Sequence, residues 1–140
     1  MPRIKLCLPK KIDFETNLKL RIYDMNYGAH MGNDSVLSLV HESRVRFLRS
    51  LKLKERDFYG FGLLMADSAI VYKKQGFYGD RLKIQISVSE LYNCGFELFY
   101  LITNFDSNEE VARVTTGMVC YNHKDNKIMS LPKEFASNFS

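Results

Sequence analysis

The run from Leu20 to Leu51, LRIYDMNYGAHMGNDSVLSLVHESRVRFLRSL, decides how the rest of this chain folds. It opens as the end of an alternating stretch. Phe14, Leu18, Leu20 and Ile22 fall on one face, and Glu15, Lys19 and Arg21 on the other. That pattern predicts a half-buried strand over residues 14–22. A polar cluster follows, holding Asp24, Asn26, His30, Asn33 and Asp34. Then Val36, Leu37, Val40, Phe47, Leu48 and Leu51 recur at helical spacing and form one apolar stripe. The stripe predicts a helix from about Asp34 to about Leu51, roughly 25 Å long. Asn33 or Asp34 can cap it by accepting a backbone N–H bond. The first N–H groups of a helix have no partner, so they attract anions and polarise carbonyls. This sequence delivers its charged and amide side chains to that place.

Beyond Gly60 and Gly62 the period changes to two, and no further helix is expected. Leu64, Ala66, Ile70 and Tyr72 alternate with polar or mixed residues, and Leu82, Ile84, Ile86 and Val88 alternate with Lys83, Gln85, Ser87 and Ser89. Phe96, Leu98, Tyr100 and Ile102 form a third face, and Ala112, Val114, Met118 and Cys120 a fourth. Turns are expected at 75–80, 93–95 and 106–108, and the tail around Pro132 reads as irregular. The order is a strand, one long helix, then four strands. A split βαβ fold needs a second helix and is excluded on count. An antiparallel sheet wrapped around one long helix, an α+β architecture, fits. One helix cannot cover both faces of that sheet, yet both faces carry apolar residues, among them Leu63, Met65, Val71, Val111 and Val119. Self-association as a dimer or a dimer of dimers is therefore expected.

Composition bounds the function classes. A chain of 140 residues with 46% hydrophobic and 26% charged residues is expected to form one domain over 1–140. Its net charge of +4 is spread out, and no nucleic-acid-binding motif is present. The start, MPRIKLCLPKK, has no apolar signal region, and no segment approaches ~18 continuous apolar residues, so neither export nor membrane insertion is expected. Cys7, Cys94 and Cys120 have neither disulfide-framework nor zinc spacing. Reduced thiols in a cytoplasmic protein fit them, and no metal or organic cofactor is expected.

The motifs and their order resemble the hotdog-fold acyl-CoA thioesterases related to 4-hydroxybenzoyl-CoA thioesterase. Asp24-Met25-Asn26-Tyr27-Gly28-Ala29-His30-Met31-Gly32-Asn33 is similar to that family's D-x-D-x-x-G-H-x-N-N segment. Glu42-Ser43-Arg44 matches its E-A-R triplet, and Tyr78-Gly79-Asp80-Arg81-Leu82-Lys83-Ile84 its y-G-D-x-L-x-I segment. Residues 110–117 resemble its last long strand. The resemblance implies a thioesterase acting on acyl-CoA or acyl-carrier-protein thioesters. It also implies that Tyr78, Gly79 and Asp80 lie near the bound CoA, where Lys73, Lys74 and Arg81 can meet its phosphates.

One departure bears on mechanism. Asn26 stands where the family carries its catalytic carboxylate, and an amide can neither attack as a carboxylate nor take a proton at neutral pH. Asp24 or Asp34 can replace it, or Asn26 and His30 can position water, as in the D-x-N-x-H set of plant-type acyl-carrier-protein thioesterases. The helix-start N–H groups from Asn33 through Ser35 to Val36 can hold the thioester oxygen. Arg44 falls inside the apolar stripe and is expected to pair with a carboxylate across a subunit interface. Phe47, Phe61, Met65 and Tyr72 are candidates for shaping the acyl pocket. Two other readings remain open: a hotdog hydratase or dehydratase, and a non-catalytic acyl-CoA-binding protein.

Overall fold

The computed structural model describes residues 3–140, so Met1 and Pro2 of the expected domain lie outside the described residues. Strand β1 (Phe14–Lys19) is followed by a single 3₁₀ turn at Ile22–Asp24 and by helix α1 (Ser35–Ser50). Then come β2 (Gly62–Tyr72), β3 (Arg81–Tyr92), β4 (Gly95–Asn104), β5 (Glu110–Asn122), a two-residue β6 (Lys127–Ile128) and helix α2 (Lys133–Phe139). The strands form one antiparallel sheet in the order β1-β3-β4-β5-β2, with β6 on β5. Helix α1 therefore carries the chain from one edge of the sheet to the other across its concave face.

The core lies between α1 and that face. Val36, Leu39, Val40, Phe47 and Leu48 of α1 are buried, as are the alternating Leu82, Ile84, Ile86 and Val88 of β3. Phe96, Leu98, Tyr100 and Ile102 of β4 and Val114, Met118 and Cys120 of β5 complete it. Burial pushes the Cys120 thiol up to about 11, with the neighbouring Cys94 adding to the effect.

Four expectations need correction. The first strand stops at Lys19, not at residue 22. Asp24 accepts the Arg21 N–H at 2.8 Å and winds the chain into the 3₁₀ turn, leaving Ile22 and Tyr23 exposed. Second, the tail is not irregular. Phe135 is fully buried, and its ring stacks on Phe96, Phe58 and Phe139, which turns Lys133–Phe139 into a short helix. Third, neither Asn33 nor Asp34 makes a side-chain cap on α1. Ser35 instead ties the helix start to the preceding loop, its N–H donating to the Gly32 carbonyl and its hydroxyl to the Asp24 carbonyl.

The fourth correction concerns Arg44, which finds its carboxylate within its own chain. α1 ends in a Schellman turn: Lys52 N–H bonds the Arg49 carbonyl, Leu53 N–H bonds that of Leu48, and Lys52 takes φ 62°. This reversal returns Glu55 to Arg44 Nε at 2.9 Å. Arg44 also donates to the Tyr100 hydroxyl at 3.1 Å, and that hydroxyl lies 2.8 Å from Thr116 Oγ1. Burial works to lower the Arg44 pKa, but Tyr100 and Glu55 outweigh it and hold the guanidinium above its ordinary value.

The convex face is partly covered by the chain itself. Residues 6–13 cross it, with Arg113 donating to the Leu6 carbonyl, Ser87 to that of Lys11, and Val88 N–H to the Asp13 carboxylate. The β2 edge is left open, and Leu64 and Met65 on it are about two-fifths exposed, at 41% and 45%.

Candidate active site

The expected polar cluster condenses into a tight loop between the 3₁₀ turn and α1. Met25 and Met31 pair as an antiparallel bridge, and Asn26 N–H donates to the His30 carbonyl at 2.6 Å. Gly32 N–H donates to the Asp24 carbonyl and Met31 N–H to that of Gly76, tying the loop to the turn between β2 and β3. Gly76 permits that approach, because a Cβ there would stand 2.8 Å from Leu20 Cδ1.

The structure separates the candidates by what their polar atoms already do. Asp24 is only 4% exposed, and its carboxylate receives the Arg21 N–H with Arg21 Nε at 3.7 Å. It holds the turn rather than facing the cleft. Asn26 is exposed and uses its carboxamide oxygen twice, accepting from Gly28 N–H at 2.9 Å and His30 N–H at 3.1 Å. Two donors on one end of an amide settle its orientation, so the NH₂ end is the one left to face outward.

Asp34 is exposed at the helix start, and no hydrogen bond or ion pair engages its carboxylate among the described residues. A Cβ built on Gly32 would lie 2.6 Å from Asp34 Oδ1 and 3.6 Å from Asn26 Cβ. The Asp34 carboxylate and the Asn26 Cβ therefore both flank Gly32, which stands where the family motif carries the first Asn of its N-N pair. The motif marks the position, but the approach of the Asp34 carboxylate to it depends on the folded loop.

His30 is half-buried with its ring edge-on to Phe77 at 5.1 Å. Asn33 is exposed, and its carbonyl accepts the Tyr72 hydroxyl at 3.0 Å. The N–H groups of Asn33, Asp34, Val36 and Leu37 have no protein acceptor among the described residues. These are the unpartnered donors a helix start provides.

Beside the loop opens a cleft of about 790 Å³, walled by Met31, Asn33, Tyr72, Lys73, Phe77 and Asp80 among others. Asp80 lines it but spends a carboxylate oxygen on Phe77 N–H. Tyr78 and Gly79 form the turn beyond the cleft wall, with Gly79 in the left-handed region at φ 86°. Lys74, also in the wall, pairs with Glu109 at 2.7 Å, and Arg81 outside it pairs with Asp106 at 2.8 Å. Lys73 is the wall's cation without an ion pair among the described residues. Of the expected pocket-shaping residues, Tyr72 reaches the cleft. Phe47 does not, being packed in the core between Phe14 and Phe139. No three His, Cys, Asp or Glu side chains converge as a metal-ligand group among the described residues.

Residues 20–139 match the thioesterase-like superfamily. The chain belongs to that family. It is 28% identical over 124 residues to a 1,4-dihydroxy-2-naphthoyl-CoA hydrolase of Acaryochloris marina, covering 84% of this chain and 89% of the relative. Its fold matches a 1,4-dihydroxy-2-naphthoyl-CoA thioesterase from Synechocystis at TM-score 0.79 and 22% identity, over 89% of this chain and 93% of that one. A DHNA-CoA thioesterase from Staphylococcus aureus matches at TM-score 0.78 and 18% identity, over 88% and 83%. The hotdog architecture, the family and the thioester-hydrolase class read from the sequence all stand. No helix among the described residues is long and apolar enough to cross a membrane.

Proposed function

We propose that this thioesterase hydrolyses acyl-CoA with Asp34 as the carboxylate that activates water. The observation carrying this reading is the unengaged Asp34 carboxylate beside Gly32, at a helix start whose N–H groups are unpartnered. The thioester carbonyl docks against the free N–H groups among Asn33, Asp34, Val36 and Leu37, which stabilise the oxyanion as it forms. The Asn26 NH₂ polarises the same carbonyl. Asp34 accepts a proton from the attacking water, and the tetrahedral intermediate collapses with loss of the CoA thiolate. The cleft takes the carrier arm, and Lys73 is the cation free to meet a phosphate. His30 and Phe77 close one side.

The substrate is accompanied by a second copy of the chain. β2 is a long open edge with Leu64 and Met65 exposed, whereas the other edge, β1, is short and shows solvent Glu15, Asn17 and Lys19. Pairing of two β2 edges would extend the sheet and cover the apolar residues. Light scattering should then give at least twice 16.3 kDa. The place of action we assign is the cytoplasm, where acyl-CoA and reduced cysteines coexist.

The test is hydrolysis of a panel: 1,4-dihydroxy-2-naphthoyl-, benzoyl-, hexanoyl-, palmitoyl- and crotonyl-CoA. Thiol release with at least one of the five is expected, and Asp34→Asn should lower kcat by ~10²–10⁴-fold. Binding of acyl-CoA without turnover would instead favour a carrier or sensor, the reading that Asn26 in place of the family's carboxylate supports. Water addition to crotonyl-CoA would indicate a hydratase.

A further inference from the structure

We propose that Tyr72 is a positioning residue for this site, its hydroxyl pinning the Asn33 carbonyl and thereby aiming the Asp34 N–H and side chain. The proposal rests on the reading of function given above. Tyr72 is the last residue of β2, paired with Ala112 of β5, so its backbone is fixed by the sheet. Its side chain reaches across the cleft mouth, and the hydroxyl donates to the Asn33 carbonyl at 3.0 Å.

The rest of the helix-start loop is locked on both sides. Gly32 N–H bonds the Asp24 carbonyl, Ser35 N–H bonds the Gly32 carbonyl, and Ser35 Oγ bonds Asp24 again. The peptide joining Asn33 to Asp34 lies between these locks. Among the described residues, Tyr72 supplies its one hydrogen bond. The chain has no cis peptides among the described residues, and in a trans peptide the carbonyl and N–H point in opposite directions. A carbonyl held toward Tyr72 commits the Asp34 N–H to the opposite side, as a fixed donor rather than a swinging one. It also fixes the Cα from which the Asp34 carboxylate projects. Fixed donors stabilise a developing oxyanion without reorganising during the reaction.

Tyr72 is 48% exposed, so the hydroxyl is not there to satisfy a buried ring. Tyr100 makes the contrast: its hydroxyl is fully buried and bonded to Arg44 and Thr116. Removing an exposed hydroxyl leaves no orphaned group in the core, and the Asn33 carbonyl can turn to water.

Tyr72→Phe tests this directly. We expect kcat to fall about tenfold, KM to stay within about twofold and the thermal midpoint to hold, since the interaction serves the transition state. In an Asp34→Asn background the same change should cost little more, because the two act through one geometry. The backbone of residues 33–35 should become more mobile in Tyr72→Phe, read as lower NMR order parameters at those amides. A higher KM at unchanged kcat would make the hydroxyl a substrate contact and overturn the proposal, as would no change in kcat. If the wild-type protein turns over none of the five acyl-CoA substrates, the functional reading fails by itself. The order parameters then decide the positioning claim alone: lower values at residues 33–35 sustain it and unchanged values reject it.

Discussion

Helix α1 serves two polar clusters, one along its middle and one at its start, and they are built on opposite terms. In the middle, Arg44 is 5% exposed and binds Glu55 and Tyr100, and Tyr100 binds Thr116. The Arg44, Tyr100 and Thr116 side chains all have partners, and three separate segments are tied to the helix. At the start, Asp34 and the NH₂ end of Asn26 are exposed and unengaged, and four backbone N–H groups await an acceptor. A satisfied buried network contributes rigidity and has nothing left to offer a substrate. An open cluster contributes little to folding and leaves its hydrogen-bonding capacity to a bound ligand. Mutations in the two should therefore give separable phenotypes, stability in one and turnover in the other.

The largest expected effect is on the closed cluster. Arg44→Ala leaves the Tyr100 hydroxyl and Glu55 without their shared donor and opens a cavity under α1. Removing one partner of a buried pair costs about 3–5 kcal/mol, and the lower figure applies here because Glu55 reaches solvent. Urea denaturation should show this loss, while kcat per folded molecule stays near wild type. A fall in kcat at unchanged stability would erase the distinction between the clusters.

Next comes Gly32→Ala, at the centre of the open cluster. Gly32 does not have a positive φ, so alanine suits its backbone. Its methyl, however, would stand 2.6 Å from Asp34 Oδ1 and must push that carboxylate aside. A displacement of about 1 Å at a reacting group can cost up to ~10²-fold in rate. Steady-state kinetics should show a tenfold to hundredfold drop, on the same estimate, with a nearly unchanged thermal midpoint. Full activity in Gly32→Ala would show that Asp34 is not held where the reaction needs it.

How far each region was legible follows from the range of its interactions. Periods of two and of about 3.6 in the apolar residues were enough for β3, β4, β5 and α1, because each buries one face over many residues. Helix α2 escaped notice because seven residues hold only two anchors, Phe135 and Phe139, too few to show a period. Asp34 and Asn26 were recognisable from local motif spacing. Which of their atoms remain free was not, since that depends on bonds within the folded loop. Glu55 was invisible as the partner of Arg44 because it lies beyond the helix end, and a left-handed Lys52 returns it.

Alkaline pH separates the clusters more gently. Burial raises the Tyr100 pKa above its ordinary value, although Arg44 and Thr116 pull the other way. The native state thus favours the neutral phenol. Its contribution to stability is complete below about pH 10, where the unfolded tyrosine ionises, and is lost as pH rises through the higher native value. Thermal midpoints should decline above about pH 10, and Tyr100→Phe should flatten that decline even though it starts from a lower midpoint. An equally steep decline in the variant would assign the alkaline loss to other groups.

The smallest effect, and the one that most sharpens the comparison, belongs to Asn26→Asp. A carboxylate can accept from Gly28 and His30 N–H as the amide oxygen does, so the loop and the thermal midpoint should be preserved. The outward NH₂ is replaced by a second acidic oxygen in the same loop as Asp34, with the Asn26 Cβ and the Asp34 carboxylate both beside Gly32. Two like charges sharing a site cannot both ionise easily, so the pair's upper apparent pKa rises. If Asp34 acts as the base, the acid limb of the kcat–pH profile should move upward by about one unit. The polarising donor is lost at the same time, and kcat on the plateau should fall. If the limb stays in place while the plateau rises, the new carboxylate has taken over the work of the base. Asp34 would then be a bystander, and the wild-type protein a weakened enzyme better suited to binding acyl-CoA than to cleaving it.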